Sequence, residues 1–409
     1  MNMNDNYPLK GIKVVELASA VAAPMAARIM ASFGADVIKV EGPPHGDNLR
    51  GMAAGQMKRA ATEENPVFDT INTGKKLAGI NLKNEEGHAL FMKLLSEADV
   101  FITNVRMKSL EGLGLDYDTL KEKYPGLIWA HLSGYGLEGP RVNAPGFDIT
   151  AFWMLTGGAT DSVEPDAHPV FPSFGFGDIT SASNLLAGIL MALIGRKQTG
   201  KGTLVSTSLF NTGMWSNSSY IIETQGPTAF VVPCSHYDTW DPFSFQYRCS
   251  DGKWIAIMEK HYVSDKPKFA KIFDLPELMT DPDMETLDKV NATGKGAVLV
   301  KKVEEIIATK TSDEWKIILD ENDVANAVAQ HFVDIPKDPQ ARANGYLDDV
   351  EYYDGVNYSI PVPPMHFSGY ERKPFAKMAQ VGADTDEVLK AIGITDEELQ
   401  GFRNRRVIV

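Results

Sequence analysis

Near the start of the chain, apolar and polar positions alternate between two periods. Ile12 to Leu17 (IKVVEL) is a β-branched run, the pattern of a strand covered on both faces. Pro24 to Phe33 (PMAARIMASF) reads as a helix, with proline early and Gly34 where a helix should stop. Asp36 to Val40 (DVIKV) returns to strand and ends at Glu41. Strand, helix and strand in so short a span predict parallel pairing through a right-handed crossover.

The alternation continues. Strands are expected at Leu77 to Leu82, Val100 to Asn104, Leu127 to Leu132 and Leu204 to Leu209. Helices are expected at Glu85 to Ala98, Tyr117 to Tyr124 and, long and apolar, from about Thr180 to Lys197. The Thr199 to Gly202 turn closes the last of these. This order predicts an α/β, doubly wound domain over residues 1–225.

After Gln225 the pattern changes. Residues Gly226 to Tyr247 are crowded with proline, serine and aromatics, the composition of a linker or substrate-covering loop. Asp251-Gly252 between apolar runs signals a hairpin over Phe245 to Met258. Helical patterns follow at Lys266 to Phe273, Ala297 to Thr309 and Asp313 to Leu319, the last with Thr311-Ser312 as capping candidates. Residues 226–332 therefore read as a second, smaller α+β domain. Within 333–409, Asp384 to Arg403 returns to helix.

Composition narrows the function. Of 409 residues, 44% are hydrophobic, and 40 basic against 54 acidic side chains give a net charge of -14. That balance argues against nucleic-acid or membrane-surface partners, so any polyanionic ligand needs a local basic pocket. Cys234 and Cys249 form no CxxC pair, and the histidines show no metal-ligand spacing. No signal peptide is visible, and the most apolar stretch, Leu185 to Ile194, is too short to span a bilayer. A soluble protein of a reducing compartment, without a structural metal, is expected.

Four local features carry candidate chemistry. Gly134 to Gly139 (GYGLEG) matches GxGxxG, but Pro140 and Pro145 leave no room for the helix that a dinucleotide site requires. The first strand–helix turn, Ala18 to Ala23, is built of small residues that would let a ligand lie close to the backbone. Lys75, Lys76, Lys83, Arg106 and Lys108 each lie near a predicted strand end, where open α/β sheets bind ligands; a solvated surface has the same signature. Asp178 follows Phe174-Gly175-Phe176-Gly177, just before the long apolar helix. It reads either as the helix N-cap or as a carboxylate kept ionised at a positive helix end and able to act as nucleophile. Asp148, in Pro145-Gly146-Phe147-Asp148, is a second loop carboxylate with the same two readings.

In order along the chain, LKGIKVVEL, FGADVIKVEGPPHGDNLR, NTGKKLAGINLK, ADVFITNVR, LEGLGLDY, SGYGLEGP, PGFD, GFGDITSASNLLAGILMALIGRKQTGKG and DTDEVLKAIGI resemble the family III CoA-transferases, which also include α-methylacyl-CoA racemases. The resemblance runs from Leu9 to Ile394 and is weakest between Gly226 and Arg342. It implies a Rossmann-like large domain built from both chain ends, a small inserted domain, a C-terminal return of 333–409 to the large domain, and an interlocked homodimer. It implies Asp178 as the nucleophile, and CoA lying near Val21, Ala22, Leu82, Lys83, Asn104, Arg106, Phe147 and Asp148. Backbone N–H groups around Gly177 would suit the oxyanions.

The implied activity moves CoA from an acyl- or enoyl-CoA to a small carboxylic acid in the cytoplasm. CoA thioesters are the substrates, and no metal or other cofactor is needed. Racemases of this family pair the aspartate with a histidine at the position held here by Phe147, which cannot accept a proton. That absence favours transfer over the alternatives, an acyl-CoA racemase or epimerase and a non-catalytic CoA-binding protein. The glycine run of oxalate-using members is missing between Gly226 and Ala256. The aromatic segment Trp240 to Tyr247 instead suggests an apolar lid for a larger acyl chain. The PGFD and FGFGD wording looks most like transferases of amino-acid fermentation, which act on 2-hydroxy acids such as phenyllactate or 2-hydroxyisocaproate.

Overall fold

A computed structural model describes residues 6–51, 64–227, 229, 231–259, 261–352 and 355–409. The chain divides into two compact units: Met1–Ala159, Val170–Thr228 and Asn344–Val409 form the first, Thr160–Pro169 and Ala229–Ala343 the second.

The first unit opens with β1 (Lys13–Leu17), α1 (Ala22–Ser32), β2 (Asp36–Glu41), α2 (Pro66–Asn72), β3 (Lys76–Gly79), α3 (Glu85–Ser96) and β4 (Val100–Thr103). It continues with α4 (Met107–Gly112), α5 (Tyr117–Lys123), β5 (Ile128–Ser133), α6 (Phe176–Thr199), β6 (Leu204–Ser208), α7 (Leu209–Ser216) and α8 (Ser218–Glu223). The six strands form one parallel sheet in the order β3-β2-β1-β4-β5-β6, with Val14 opposite Val37 on one side and Val100 on the other.

Strand pleating sends alternate residues to opposite layers. Val14, Val100, Ile102, Ile128 and Ala130 face the layer of α1 and α6, while Val15, Phe101 and Trp129 face that of α3, α4 and α5. Truncating Trp129 or Phe101 to alanine would destabilise the unit by about 3–5 kcal/mol. Every residue of α1 is buried, and its alanines let it pack closely on α6.

Helix α6 is 24 residues long and, by length and composition, apolar enough to cross a membrane. Leu185 to Ile194 is the middle of this longer helix. Here one side of α6 packs on α1, β5 and β6.

In the second unit, β7 (Gln246–Arg248), β8 (Trp254–Met258) and, after five helices, β9 (Ala325–Val328) form an antiparallel sheet. Gly252, at φ +83°, makes the β7–β8 turn. The helices are α9 (Tyr262–Ile272), α10 (Glu277–Thr280), α11 (Leu287–Ala292), α12 (Lys295–Ile307) and α13 (Ser312–Glu321), and Thr311 caps the last with a reciprocal Glu314 bond. Phe243 stacks on Phe269 at 4.5 Å, and Phe243 and Tyr247 are fully buried in this unit's own core. The expected aromatic lid is therefore narrowed: Phe243 and Tyr247 are core packing, while Trp240 is exposed. Thr160–Pro169 joins this unit because Glu164 Oε1 lies 2.6 Å from His236 Nδ1 and accepts the His236 N–H at 2.9 Å.

The short helix α14 (Pro339–Ala343) ends the second unit. The chain then supplies the first with the hairpin β10 (Leu347–Glu351) and β11 (Asn357–Pro361), followed by α15 (Thr385–Ala391) and α16 (Asp396–Asn404). Val388, Leu389 and Leu399 pack in the same layer as Phe101 and Trp129.

Candidate active site

From β1 the strand order runs one way to β2 and β3; from β4 it runs the other way to β5 and β6. Loops leaving the carboxyl ends of β1 and β4 therefore diverge, and such a switch point is where open α/β sheets receive ligands. Val21 and Ala22 lie at the start of α1, on the first of these loops. Asn104 and Arg106 lie on the second. Asn104 ties the two together: its Oδ1 accepts the Ser19 N–H at 3.0 Å and its Nδ2 donates to the Ser19 carbonyl at 2.7 Å. Arg106 is exposed at the start of α4. Leu82 and Lys83 follow β3 on the same edge, but two strands away, about 10 Å at ordinary strand spacing.

The basic cluster divides. Lys83, Arg106 and Lys108 are exposed at the carboxyl edge, with no ion pair among the described residues. Lys75 and Lys76 do not belong with them. Lys75 is buried, 2.7 Å from Glu16, and Lys76 begins β3, 3.2 Å from both Asp36 and Glu387. Their spacing marks where a strand starts, which sequence alone does not distinguish from where it ends.

Backbone contact positions the two carboxylates. Gly134 and Gly146 touch: a Cβ on either would lie within 2.8 Å of the other's Cα, so the glycine-rich motif serves loop packing. The chain then enters a π-helical turn at Asp148–Met154. Helix α6 starts at Phe176, with Gly175 in the left-handed region (φ +75°) as its N-cap. Asp178 thus sits inside the first turn and is not the cap. The carboxylate that serves the helix end is Asp148, whose Oδ2 accepts the Gly177 N–H at 3.0 Å. Gly177 is obligatory, since a Cβ there would meet Asp148 Oδ1 and the Phe152 ring at 2.4 Å. A Cβ on Gly175 would lie 3.3 Å from Val21 Cγ1, so the start of α6 adjoins the β1–α1 turn. Val21, Asp148 and Asp178 therefore come together, while Phe147 stays 67% exposed at the rim.

Electrostatics at this point differ from the helix-end expectation. A helix N-terminus favours an ionised carboxylate by a fraction of a kcal/mol to about 2 kcal/mol. Burial, reinforced by the negative charge of Asp148, outweighs that and pushes Asp178 up to about 7. Asp148 is also raised by burial, against the lowering effect of the Gly177 and Asp178 backbone N–H groups. Its Oδ1 is buried with no hydrogen-bond partner among the described residues. The Gly177 N–H, expected as an oxyanion donor, is engaged by Asp148 here.

Two supporting features escaped the sequence reading. His131 on β5 is buried, with Nε2 2.9 Å from the Val105 carbonyl, so it holds the loop between Asn104 and Arg106. Burial lowers its pKa. A lone histidine in an apolar strand gives no sequence signal of such a task. Glu16, a charge inside a run read as buried on both faces, did carry one, and Lys39 is its partner: buried charges must be paired.

Comparison with known proteins follows the same outline. The model of CoA-transferase family III matches residues 9–385. The (R)-2-hydroxy-4-methylpentanoate CoA-transferase of Clostridioides difficile is 37% identical over 400 residues, covering 98% of this chain and 99% of that protein. The cinnamoyl-CoA:phenyllactate CoA-transferase of Clostridium sporogenes is 34% identical over 407 residues, 99% and 98% of the two chains. A CAIB/BAIF family protein from Brucella suis, of known crystal structure, superposes with a TM-score of 0.77 at 27% identity, over 95% of this chain and 100% of that one. With matches of this extent, the chain belongs to CoA-transferase family III.

Proposed function

We propose that the protein transfers CoA from an acyl- or enoyl-CoA to a 2-hydroxy acid, with Asp178 as the covalent nucleophile. The observation that carries this reading is a half-buried carboxylate in the first turn of α6, beside the small-residue turn at the sheet's switch point. Ionised Asp178 attacks the thioester carbonyl, and the C–S bond breaks to release CoA thiolate and leave an aspartyl mixed anhydride. The thiolate attacks the aspartyl carbonyl, expels the first acid and forms an aspartyl-CoA thioester. The incoming carboxylate attacks that thioester, regenerating thiolate and a new anhydride. Thiolate attack on the new acyl carbonyl then releases product and frees Asp178. Each step exchanges one acyl bond for another, so the route asks for no metal or further cofactor.

Lys83, Arg106 and Lys108 suit the phosphates of CoA, whose approach the net charge of -14 otherwise opposes. Val21, Ala22, Leu82, Asn104, Phe147 and Asp148 complete the proposed CoA-binding edge. The exposed apolar side chains Phe147, Phe174, Phe176 and Ile179 flank the two carboxylates in sequence and favour an apolar acyl group. The 2-hydroxy acid class is supported by the two clostridial relatives. Phe147 offers no base beside Asp148, which supports transfer over proton exchange at Cα.

Met191 and Ile194 on α6, Trp215 on α7 and Ile222 on α8 are large apolar side chains left exposed in the first unit, which supports a homodimer. Cys234 and Cys249 are free thiols, as suits the cytoplasm. The test is direct: supply isocaproyl-CoA or cinnamoyl-CoA with each enantiomer of 2-hydroxy-4-methylpentanoate and phenyllactate, and follow thioesters by mass spectrometry. New 2-hydroxyacyl-CoA is the expected result. Deuterium exchange at Cα without any new thioester would replace this reading with an epimerase.

A further inference from the structure

Beneath the β1–α1 turn lie four charged side chains with no solvent exposure. Lys39 Nζ is 2.8 Å from Glu16 Oε1 and 2.8 Å from Asp47 Oδ2, and Lys75 Nζ is 2.7 Å from Glu16 Oε2. The charges balance, yet a buried set of this kind adds little stability over well-packed apolar residues. What distinguishes it is the backbone that it grips. Lys39 donates to the Ala18 carbonyl at 2.8 Å, Asp47 Oδ1 accepts the Ala20 N–H at 2.9 Å, and Lys75 donates to the Pro24 carbonyl at 2.8 Å. Ala20 sits at φ +63°, a conformation that alanine disfavours unless its surroundings impose it.

Asp47 is itself held from behind. Its N–H donates to Glu41 Oε1 at 2.9 Å, and Arg50 grips both Glu41 oxygens at 2.8 Å. A chain of fixed charges thus runs from Arg50 through Glu41 and Asp47 to the one strained residue of the turn.

We infer that Asp47 is a positioning residue for acyl-CoA binding: it holds the Ala18–Ala22 turn in its ligand-receiving shape without touching ligand. The inference rests on the proposal that CoA lies along this strand edge. Without the Asp47 carboxylate, the Ala20 N–H loses its acceptor and the left-handed turn relaxes. Asp178, on a separate helix, keeps its chemistry once substrate is bound.

The test measures free CoA binding by calorimetry, and steady-state transfer, for wild type, Asp47→Ala and Asp47→Asn. Asp47→Ala is expected to weaken CoA binding and raise the acyl-CoA KM about tenfold, with kcat within about threefold of wild type. Asp47→Asn, which retains an acceptor for the Ala20 N–H, restores both to within about threefold. Should Asp47→Ala fail to fold, Ala20→Val reads the same property, because a β-branched residue resists positive φ while the ion group stays intact; it too should weaken CoA binding about tenfold. Wild-type CoA affinity in Asp47→Ala or Ala20→Val overturns the inference. So does a fall in kcat at unchanged KM that Asp47→Asn fails to rescue, the mark of a purely structural role. If wild type binds no CoA, the underlying site assignment fails with it.

Discussion

Two groups of acids lie beside the β1–α1 turn and have opposite characters: Glu16 and Asp47 are buried, Asp148 and Asp178 half-buried. Glu16 and Asp47 each face a lysine at 2.8 Å or less, and every member of that group also holds side-chain or backbone partners. Asp148 and Asp178 face each other without a cation, and Asp148 is met by backbone N–H groups of the α6 start. The first group is matched and therefore fixed. Burial depresses a lysine, yet for Lys39 the two carboxylates outweigh it and hold the ammonium up at about 12. In the second group like charge adds to burial, and Asp178 rises to about 7. On the proposed mechanism, the same side chain serves as scaffold where its charge is answered and as nucleophile where it is not. Storing instability at a reactive carboxylate is a recognised feature of functional sites.

The sharpest way to break this contrast is Asp178→Asn. It should lower the transfer rate on the order of 10⁴-fold or more, measured as kcat with the best donor–acceptor pair. Next in size, Lys39→Met leaves Asp47 without its lysine and Glu16 with Lys75 alone, and should destabilise the first unit by about 3–5 kcal/mol in urea unfolding.

Asp178 should then make stability depend on pH. Because the folded-state pKa of Asp178 lies above its ordinary 3.8, the native state binds more protons, and this group's contribution to stability is lost as pH rises from about 4 to 7. Asp178→Asn removes that slope. The variant should be the more stable protein at pH 8, by about 1–3 kcal/mol, while being inactive. An equal or lower stability at pH 8 would show that Asp178 stores no such strain.

The smallest effect expected is a displacement of the pH profile. Attack needs ionised Asp178, so the rate should climb through about pH 7 and level above it. Asp148→Asn retains the shape but not the charge, and should move that limb to lower pH by about one unit.

Much of this was legible in the sequence. Short β-branched apolar runs marked the strands, and Gly175 to Asp178 before an apolar helix marked a carboxylate of interest. The division of labour between the two aspartates was not legible, because a side chain on one loop bonding the backbone of a distant helix leaves no local trace. Lys75 was misread for a related reason: a lysine beside a strand reads as solvated until its partner Glu16 is known. The ring-rich segment before β7 had the composition of a lid, yet Phe243 and Tyr247 had core partners in α9 and α12 that periodicity does not reveal. The β10–β11 hairpin is polar enough along its length to hide between the two helical patterns.

The most direct test of the central claim is covalent trapping. Wild type and Asp178→Asn would each be incubated with isocaproyl-CoA or cinnamoyl-CoA and neutral hydroxylamine, digested, and read by peptide mass spectrometry. The account predicts a hydroxamate on Asp178 that requires acyl-CoA and is absent from the variant. Turnover without any modified Asp178, or a hydroxamate formed on Asp148 instead, would contradict it.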